Sequence, residues 1–283
     1  HTELVAKTYQ PQQLTKFIIR DPKTRAIHAS HFRDRVVYHA LVNILEPIFE
    51  PVFIYDSYAS RKNKGVHRAL ERFDAFKRKV SKNGRLIKNA RNNNQVEGYV
   101  LKADIRRYFD TVDHETLIAI IKRKINDEQV IWLIRKILNN FTCKEGGKGM
   151  PLGNLTSQFF ANVYLTELDY FVKHKLKAKY YIRYVDDFVI LHENRVVLHK
   201  YMENIEKYLI TLKLSLHQDK SKILPLRNGI SFLGYKNFYY YKRLRKSNLR
   251  KFQKDFAKKL AWYHEDILTQ PQFLGSIQGW FGY

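Results

Sequence analysis

Two adjacent acids, Asp186 and Asp187, interrupt an otherwise apolar and aromatic run, Tyr180–Leu191 (YYIRYVDDFVIL). The alternation on either side reads as strand, tight turn, strand. Like charges at the tip of a largely buried hairpin are costly unless something positive meets them. A hard divalent cation such as Mg²⁺, which takes carboxylate and phosphate oxygens, is a natural partner. A third acid, Asp104, ends a second apolar segment, Val100-Leu101-Lys102-Ala103-Asp104, with Ile105 after it. Carboxylates on neighbouring strand ends could hold two ions roughly 3.5–4 Å apart, the spacing that clamps the attacking and leaving oxygens in phosphoryl transfer. The pattern alone leaves a plainer alternative open, because an Asp-Asp pair in a β-turn is commonly inert.

The elements that must carry these acids read as a mixture of helices and strands. Helices are expected over 33–46 (with Val36, Val37, Ala40, Leu41 and Ile44 on one face and Pro47 and Pro51 at the end) and over 66–80. Asp113 and Asp127 are suitable N-caps for helices over 114–124 and from 127 to about 139. Further helices are expected over 156–176, 196–213 and 247–267, the last striped by Leu249, Phe252, Phe256, Leu260, Tyr263 and Ile267. Residues 98–104 read as a strand and 230–241 as a short hairpin. Asn83-Gly84, Asn92–Asn94 and Gly146, Gly147 and Gly149 mark connections.

The 283 residues include 51 Lys and Arg against 27 Asp and Glu, a formal net charge of +24. Such an excess draws in polyanions, nucleic acid first. The basic residues gather over 61–91, over 173–183 (Lys173, Lys175, Lys177, Lys179, Arg183) and over 236–259, interleaved with Tyr and Phe, as in a groove that tracks a nucleic-acid backbone. Taken one at a time, each cluster also reads as a solvated face. No membrane span, lipidation motif or signal peptide is expected, and a cytoplasmic location in a bacterium or phage is. The single cysteine, Cys143, excludes an internal disulfide and a cysteine-based zinc site. His28 and His31 lack an acidic or Cys neighbour and read as a solvated or hydrogen-bonding pair rather than metal ligands.

At this point the sequence resembles the reverse transcriptases over nearly its whole length. Tyr184-Val185-Asp186-Asp187 resembles the family's YxDD box, and Asp104 in LKADIRRYFDTVD its first catalytic aspartate. The resemblance implies a right-hand polymerase, an α+β fold. Its fingers would be 1–98 with 114–150, its palm of antiparallel sheet packed on helices 99–113 and 151–241, and its short helical thumb 242–283. It implies two metal ions (Mg²⁺, or Mn²⁺ in its place) at Asp104, the Ile105 backbone, Asp186 and Asp187, with dNTP substrates. Arg61 in Ser57–Arg61, and less strongly Lys64, would contact the triphosphate. Phe109 would sit beneath the incoming sugar as the steric gate. Lys220 or Lys222 would act as general acid toward pyrophosphate; their spacing does not choose between them. Phe232, Leu233, Gly234 and Tyr235 would form the primer grip.

The subtype signal is Met150–Gln158 (MPLGNLTSQ). Most members carry Gln where this chain has Leu152, and Ser-Pro where it has Ser157-Gln158. Leu152, Gly153 and Gln158 resemble the box of the diversity-generating retroelement enzymes. That likeness implies cDNA synthesis from an RNA template on a DNA or RNA primer. It also implies misincorporation opposite template adenines (mutagenic retrohoming) and a small basic oligomeric accessory protein as partner. Alternatives are a reverse transcriptase of a defence system or a group II intron relative, and, in another class, an RNA-binding scaffold without catalysis. Three intact acids speak against the last.

Overall fold

The computed structural model describes residues 2–20, 24–141 and 146–281, with side chains described as far as Gln278; Cys143 and Tyr283 lie outside them. In chain order the elements are α1 (Thr2–Val5), β1 (Thr15–Ile19), β2 (Arg25–Ala29), α2 (Phe32–Phe49), α3 (Val66–Val80), β3 (Tyr99–Asp104), α4 (Tyr108–Thr111), α5 (His114–Lys122), α6 (Glu128–Asn139), α7 (Leu155–Tyr170), β4 (Tyr180–Tyr184), β5 (Asp187–His192), α8 (Arg195–Thr211), β6 (Lys222–Pro225), β7 (Ile230–Phe232), β8 (Tyr235–Asn237), β9 (Lys242–Leu244), α9 (Lys246–His264) and α10 (Gln270–Phe281). The central sheet is antiparallel with order β4-β5-β3-β6.

Both faces of this sheet are covered, which explains why its strands read as continuous apolar runs. Side chains alternate across a strand. Leu101, Ala103, Tyr181, Phe188 and Ile190 join the larger core with Leu165 and Leu168 of α7 and Leu198, Ile205 and Leu209 of α8. Their neighbours Val100, Ile182, Val189 and Leu191 face the other way, toward Ala69, Leu70, Phe73, Phe76 and Val80 of α3. At about 25 cal/mol per Å², burial of this kind is the main force fixing the register of the strands that carry the acids.

The helix caps stand as expected. Asp113 accepts from Thr116 N and Asp127 from Gln129 N and Val130 N. Other expectations are corrected. Pro47 lies inside α2 instead of ending it. A proline removes one backbone bond, but burial of Leu45 and Phe49 on either side holds the helix together. The buried face of α2 is Tyr38, Leu41, Val42, Leu45 and Phe49, whereas Val36 and Ile44 are exposed. Two apolar stripes competed, and the one with larger rings turned inward, Phe49 meeting Phe159 of α7 at 5.8 Å. The last turn of the 156–176 helix is π-helical, over Phe171–Lys175. The 230–241 hairpin gains a third strand, β9.

The β1–β2 hairpin docks through its main chain. His28 N donates to Leu152 O at 2.9 Å and Asn154 Nδ2 to His28 O at 3.0 Å, while Ser30 Oγ donates to Asn154 Oδ1. The His28 ring packs edge-on against Phe141 at 5.0 Å, where the sequence suggests a solvated or hydrogen-bonding side chain. Gly153 makes this approach possible. Its φ is +108° and a Cβ there would meet Ile27 Cγ2 at 2.7 Å. Gly153→Ala is therefore expected to cost about 1–3 kcal/mol, read as a lower urea midpoint with earlier proteolysis of the 15–29 hairpin; an unchanged midpoint would contradict this docking.

Candidate active site

The register of the central sheet brings the three acids together. Asp104, the last residue of β3, pairs directly with Asp187, the first of β5. Tyr184 pairs with Asp187 across the β4–β5 hairpin, leaving Val185 and Asp186 as its two-residue loop. Ile105 N then donates to Asp186 O at 3.2 Å, which fastens the loop over the end of β3. From the other side, His217 N donates to Asp104 O at 2.7 Å, so the segment leading to Lys220 runs alongside.

Cations already face this cluster. Lys220 Nζ donates to Asp104 Oδ1 at 2.9 Å, and Lys102 Nζ lies 3.8 Å from Asp187 Oδ1, too far for a hydrogen bond. Asp187 Oδ1 is buried with no hydrogen-bond partner. Burial, and next the charge of Asp104, push the Asp186 carboxyl up to about 6. Burial also raises Asp187, offset in part by Lys102, with Arg245 and Lys220 acting in the same direction. A buried carboxylate oxygen without a donor beside a carboxyl whose charged form burial disfavours is what a divalent cation would satisfy, and all-oxygen donors suit Mg²⁺. Among the described residues, no three His, Cys, Asp or Glu side chains are gathered closely enough to hold an ion as they stand. Lys220 holds the Oδ1 oxygen of Asp104, where it competes with an ion for that carboxylate.

The structure distributes the other expected residues unevenly. Lys220 reaches the carboxylates, whereas Lys222 pairs with Lys102 along β3 and β6 and is exposed. Ile105 is 1% exposed, so its backbone carbonyl is all it could offer an ion. Phe109 is half-buried in α4 against Tyr108, and its carbonyl accepts from Met150 N at 2.7 Å, which sets it beside the 150–153 segment. Gln158 accepts from Ser60 Oγ at 3.1 Å, joining α7 to the 57–61 loop.

Arg61 turns inward. It donates to Glu50 and to the carbonyls of Ile54 and Ser57, and its side chain is only 6% exposed. Lys64 donates to Tyr55 O at 2.8 Å and lies 3.6 Å over the Tyr55 ring. In the 232–235 segment, Leu233 and Gly234 both have positive φ and close the β7–β8 hairpin as its two-residue turn. Phe232 and Tyr235 pair across it and pack on the α3 side of the sheet.

Three members of the basic clusters are corrected. Arg61, Lys77 and Arg183 do not line a groove; their side chains turn inward. Lys77 donates to Phe238 O and pairs with Asp74, and Arg183 pairs with Asp169. Two residues near the acids went unread. Lys102 precedes Asp104 by two, hence on the same strand face, a signal that period-2 reasoning carries. Arg245, just after β9, is held by the Tyr235–Leu244 pairing and by its own N–H to Gly234 O at 3.4 Å, and its charge acts on Asp187.

Comparison with known proteins decides the family. The model of "Reverse transcriptase (RNA-dependent DNA polymerase)" matches residues 19–237. The chain belongs to the reverse transcriptase family. Relatives of this reverse transcriptase domain include Protein YkfC of Escherichia coli, 26% identical over 275 residues, covering 83% of this chain and 69% of that protein. They also include the group II intron-encoded protein LtrA of Lactococcus lactis, 32% identical over 232 residues, 77% of this chain but 35% of LtrA. In fold the reverse transcriptase resembles apo telomerase from Candida tropicalis (TM-score 0.61, 13% identity, 90% of this chain and 53% of that one). It also resembles telomerase from Candida albicans with a fragment of telomeric RNA (TM-score 0.60, 11% identity, 93% and 52%). The α+β, right-hand polymerase expectation is thus met. Among the described residues, no helix of the reverse transcriptase is long and apolar enough to cross a membrane.

The raised Asp186 carboxyl has a testable consequence. Because the folded value lies above the ordinary 3.8, the stabilisation belongs to the protonated form, is complete below about pH 4 and is lost as pH rises through about 6. Without divalent cations at pH 8, Asp186→Asn should therefore raise stability by on the order of 1–3 kcal/mol, the gain fading toward pH 4. Urea melts in chelator across that range check it, and an equal or lower midpoint at pH 8 would contradict the burial argument.

Proposed function

We propose that this domain copies an RNA template into DNA, extending a DNA or RNA primer with dNTPs at Asp104, Asp186 and Asp187. The observation that supports it best is the strand register that sets Asp104 directly against Asp187 with Asp186 fastened over the strand end. Two Mg²⁺ ions held there would lower the pKa of the primer 3′-hydroxyl and neutralise the triphosphate.

The chain's own residues would do the rest. Asp104 and Asp186 hold the ions, with Asp187 assisting. Lys220, released from Asp104, is placed to donate a proton to pyrophosphate. Phe109 would close off the space for a 2′-hydroxyl. Arg61 braces the 54–61 loop in this arrangement and would reach a triphosphate only by exchanging Glu50 for it; Lys64, half-buried just beyond that loop, would have to leave Tyr55. The β7–β8 turn at Phe232–Tyr235 would hold the primer end. We assign 99–113 and 151–241 to the palm, 1–98 with 114–150 to the fingers, and 242–283 to the thumb. Template and primer would be bound mainly through their backbones, so affinity should fall steeply with salt.

The finer reading is a diversity-generating enzyme, working with a small basic accessory protein. It rests on Leu152 and the Ser157-Gln158 pair: an apolar side chain at 152 cannot make the polar contacts a glutamine could make around the nascent base pair. The similarity to LtrA supports a second reading, a group II intron relative.

Primer extension on an RNA template with Mg²⁺ tests the activity. The wild-type protein should make cDNA, Asp104→Asn should make essentially none, and Phe109→Ala should extend while accepting rNTPs; absence of synthesis by the wild type with its own RNA would refute the proposal. Sequencing the products separates the finer readings. Errors concentrated opposite template adenines and reduced by Leu152→Gln would favour the diversity-generating enzyme, and a flat spectrum indifferent to that change would remove Leu152 from the account.

A further inference from the structure

The turn that presents Asp186 and Asp187 is not a relaxed one. Val185, β-branched, sits at φ +54°, in the left-handed region that such residues rarely adopt. Its side chain packs against the larger core, and its carbonyl is met by a buried cation. Arg183 Nη1 donates to Val185 O at 3.1 Å and to Asn162 Oδ1 at 3.1 Å.

The rest of that guanidinium is locked from below. Its Nε and Nη2 donate to the two oxygens of Asp169 at 2.7 and 2.6 Å, a bidentate pair, and Tyr181 OH donates to the same carboxylate at 2.7 Å. Arg183 and Asp169 are both 0% exposed. Asn162 and Asp169 come from α7, seven residues apart and so on one face. The Arg183 main chain is tied as well. Its N–H donates to Asp56 O at 2.9 Å and its carbonyl accepts from Tyr58 N at 3.0 Å, while Asn162 Nδ2 donates to Ala59 O at 2.9 Å.

A buried ion pair is poor evidence of stabilisation, since apolar residues of similar volume often serve the core as well. A rigid fork with donors aimed at three partners, one of them the carbonyl of a left-handed residue inside the acidic turn, is better explained by positioning. We propose that Arg183, oriented by Asp169 and Asn162, is the positioning residue of this turn: it holds Val185 left-handed so that Asp186 and Asp187 are presented ready for a divalent cation. The cation part rests on the reading of the acids given above; the conformational part does not.

The test uses the full chain with Arg183→Lys, which keeps a charge for Asp169 but lacks the fork, and with Val185→Gly added to it. Amide hydrogen exchange without metal reads the turn directly. In R183K the amides of 184–187 should exchange about tenfold faster or more while those of α7 are unchanged, and Mn²⁺ affinity, followed by the electron paramagnetic resonance of free Mn²⁺, should weaken by a similar factor. Glycine adopts positive φ without penalty, so V185G in the R183K background should recover part of the Mn²⁺ affinity without restoring the thermal midpoint. Should R183K fail to fold, the doubly neutral R183Q/D169N is read in the same way. Wild-type exchange at 184–187 in the variants would overturn the proposal. So would a loss of Mn²⁺ affinity that tracks the melting temperature and ignores V185G. A wild type whose Mn²⁺ binding is indifferent to Asp104→Asn would instead sink the cation reading, while the exchange result still decides the role of Arg183.

Discussion

Three carboxylates at the end of a sheet buried on both faces cannot all be ionised and unpartnered. Directly paired residues of antiparallel strands lie about 4.5–5.5 Å apart at Cα, so Asp104 and Asp187 are held close by the backbone itself. Apolar cores on either side leave them half-buried, which limits screening by water. The protein answers with Lys220 against Asp104, Lys102 near Asp187 and a raised Asp186 carboxyl, and still leaves Asp187 Oδ1 without a donor. That residual imbalance is the physical basis for a cation site, and a fold without a use for it would have little reason to keep it.

The remaining architecture serves to keep this arrangement in register. The alternation of Leu101, Ala103, Phe188 and Ile190 against Val100, Val189 and Leu191 fixes β3 and β5, because a one-residue slip would exchange the two cores. Arg183 joins the acidic turn to α7 and to the 56–59 segment through buried hydrogen bonds. Lys77 ties α3 to the β8–β9 connection through Phe238 O. In each case a positive side chain that composition would assign to nucleic-acid binding is spent inside the protein. The surface left for a polyanion is accordingly smaller than the +24 charge suggests, though still strongly basic.

Local chemistry was the most legible part of the sequence. Acids ending apolar strands, Asp113 and Asp127 ahead of helices, and the 66–80 and 196–213 periodicities all express short-range rules, and the structure follows them. What escaped depends on partners distant in the chain. The buried face of α2 could not be chosen between two apolar stripes without knowing that Phe159 waits opposite Phe49. Arg183 looked like one more base in a cluster because Asp169, its partner, lies 14 residues away on a helix. Arg61 has the same history with Glu50. The β1–β2 hairpin, β6 and α10 carry weak patterns of their own and are organised by what they pack against. Family membership was legible from motif order, whereas the subtype rests on a single box.

Anomalous diffraction from crystals of this protein equilibrated with Mn²⁺ addresses the central claim most directly. The account predicts a peak within coordination distance of carboxylate oxygens from both Asp104 and Asp186, with Lys220 moved off Asp104. A Mn²⁺-soaked structure with no peak at these acids, and Lys220 still bonded to Asp104, would contradict it.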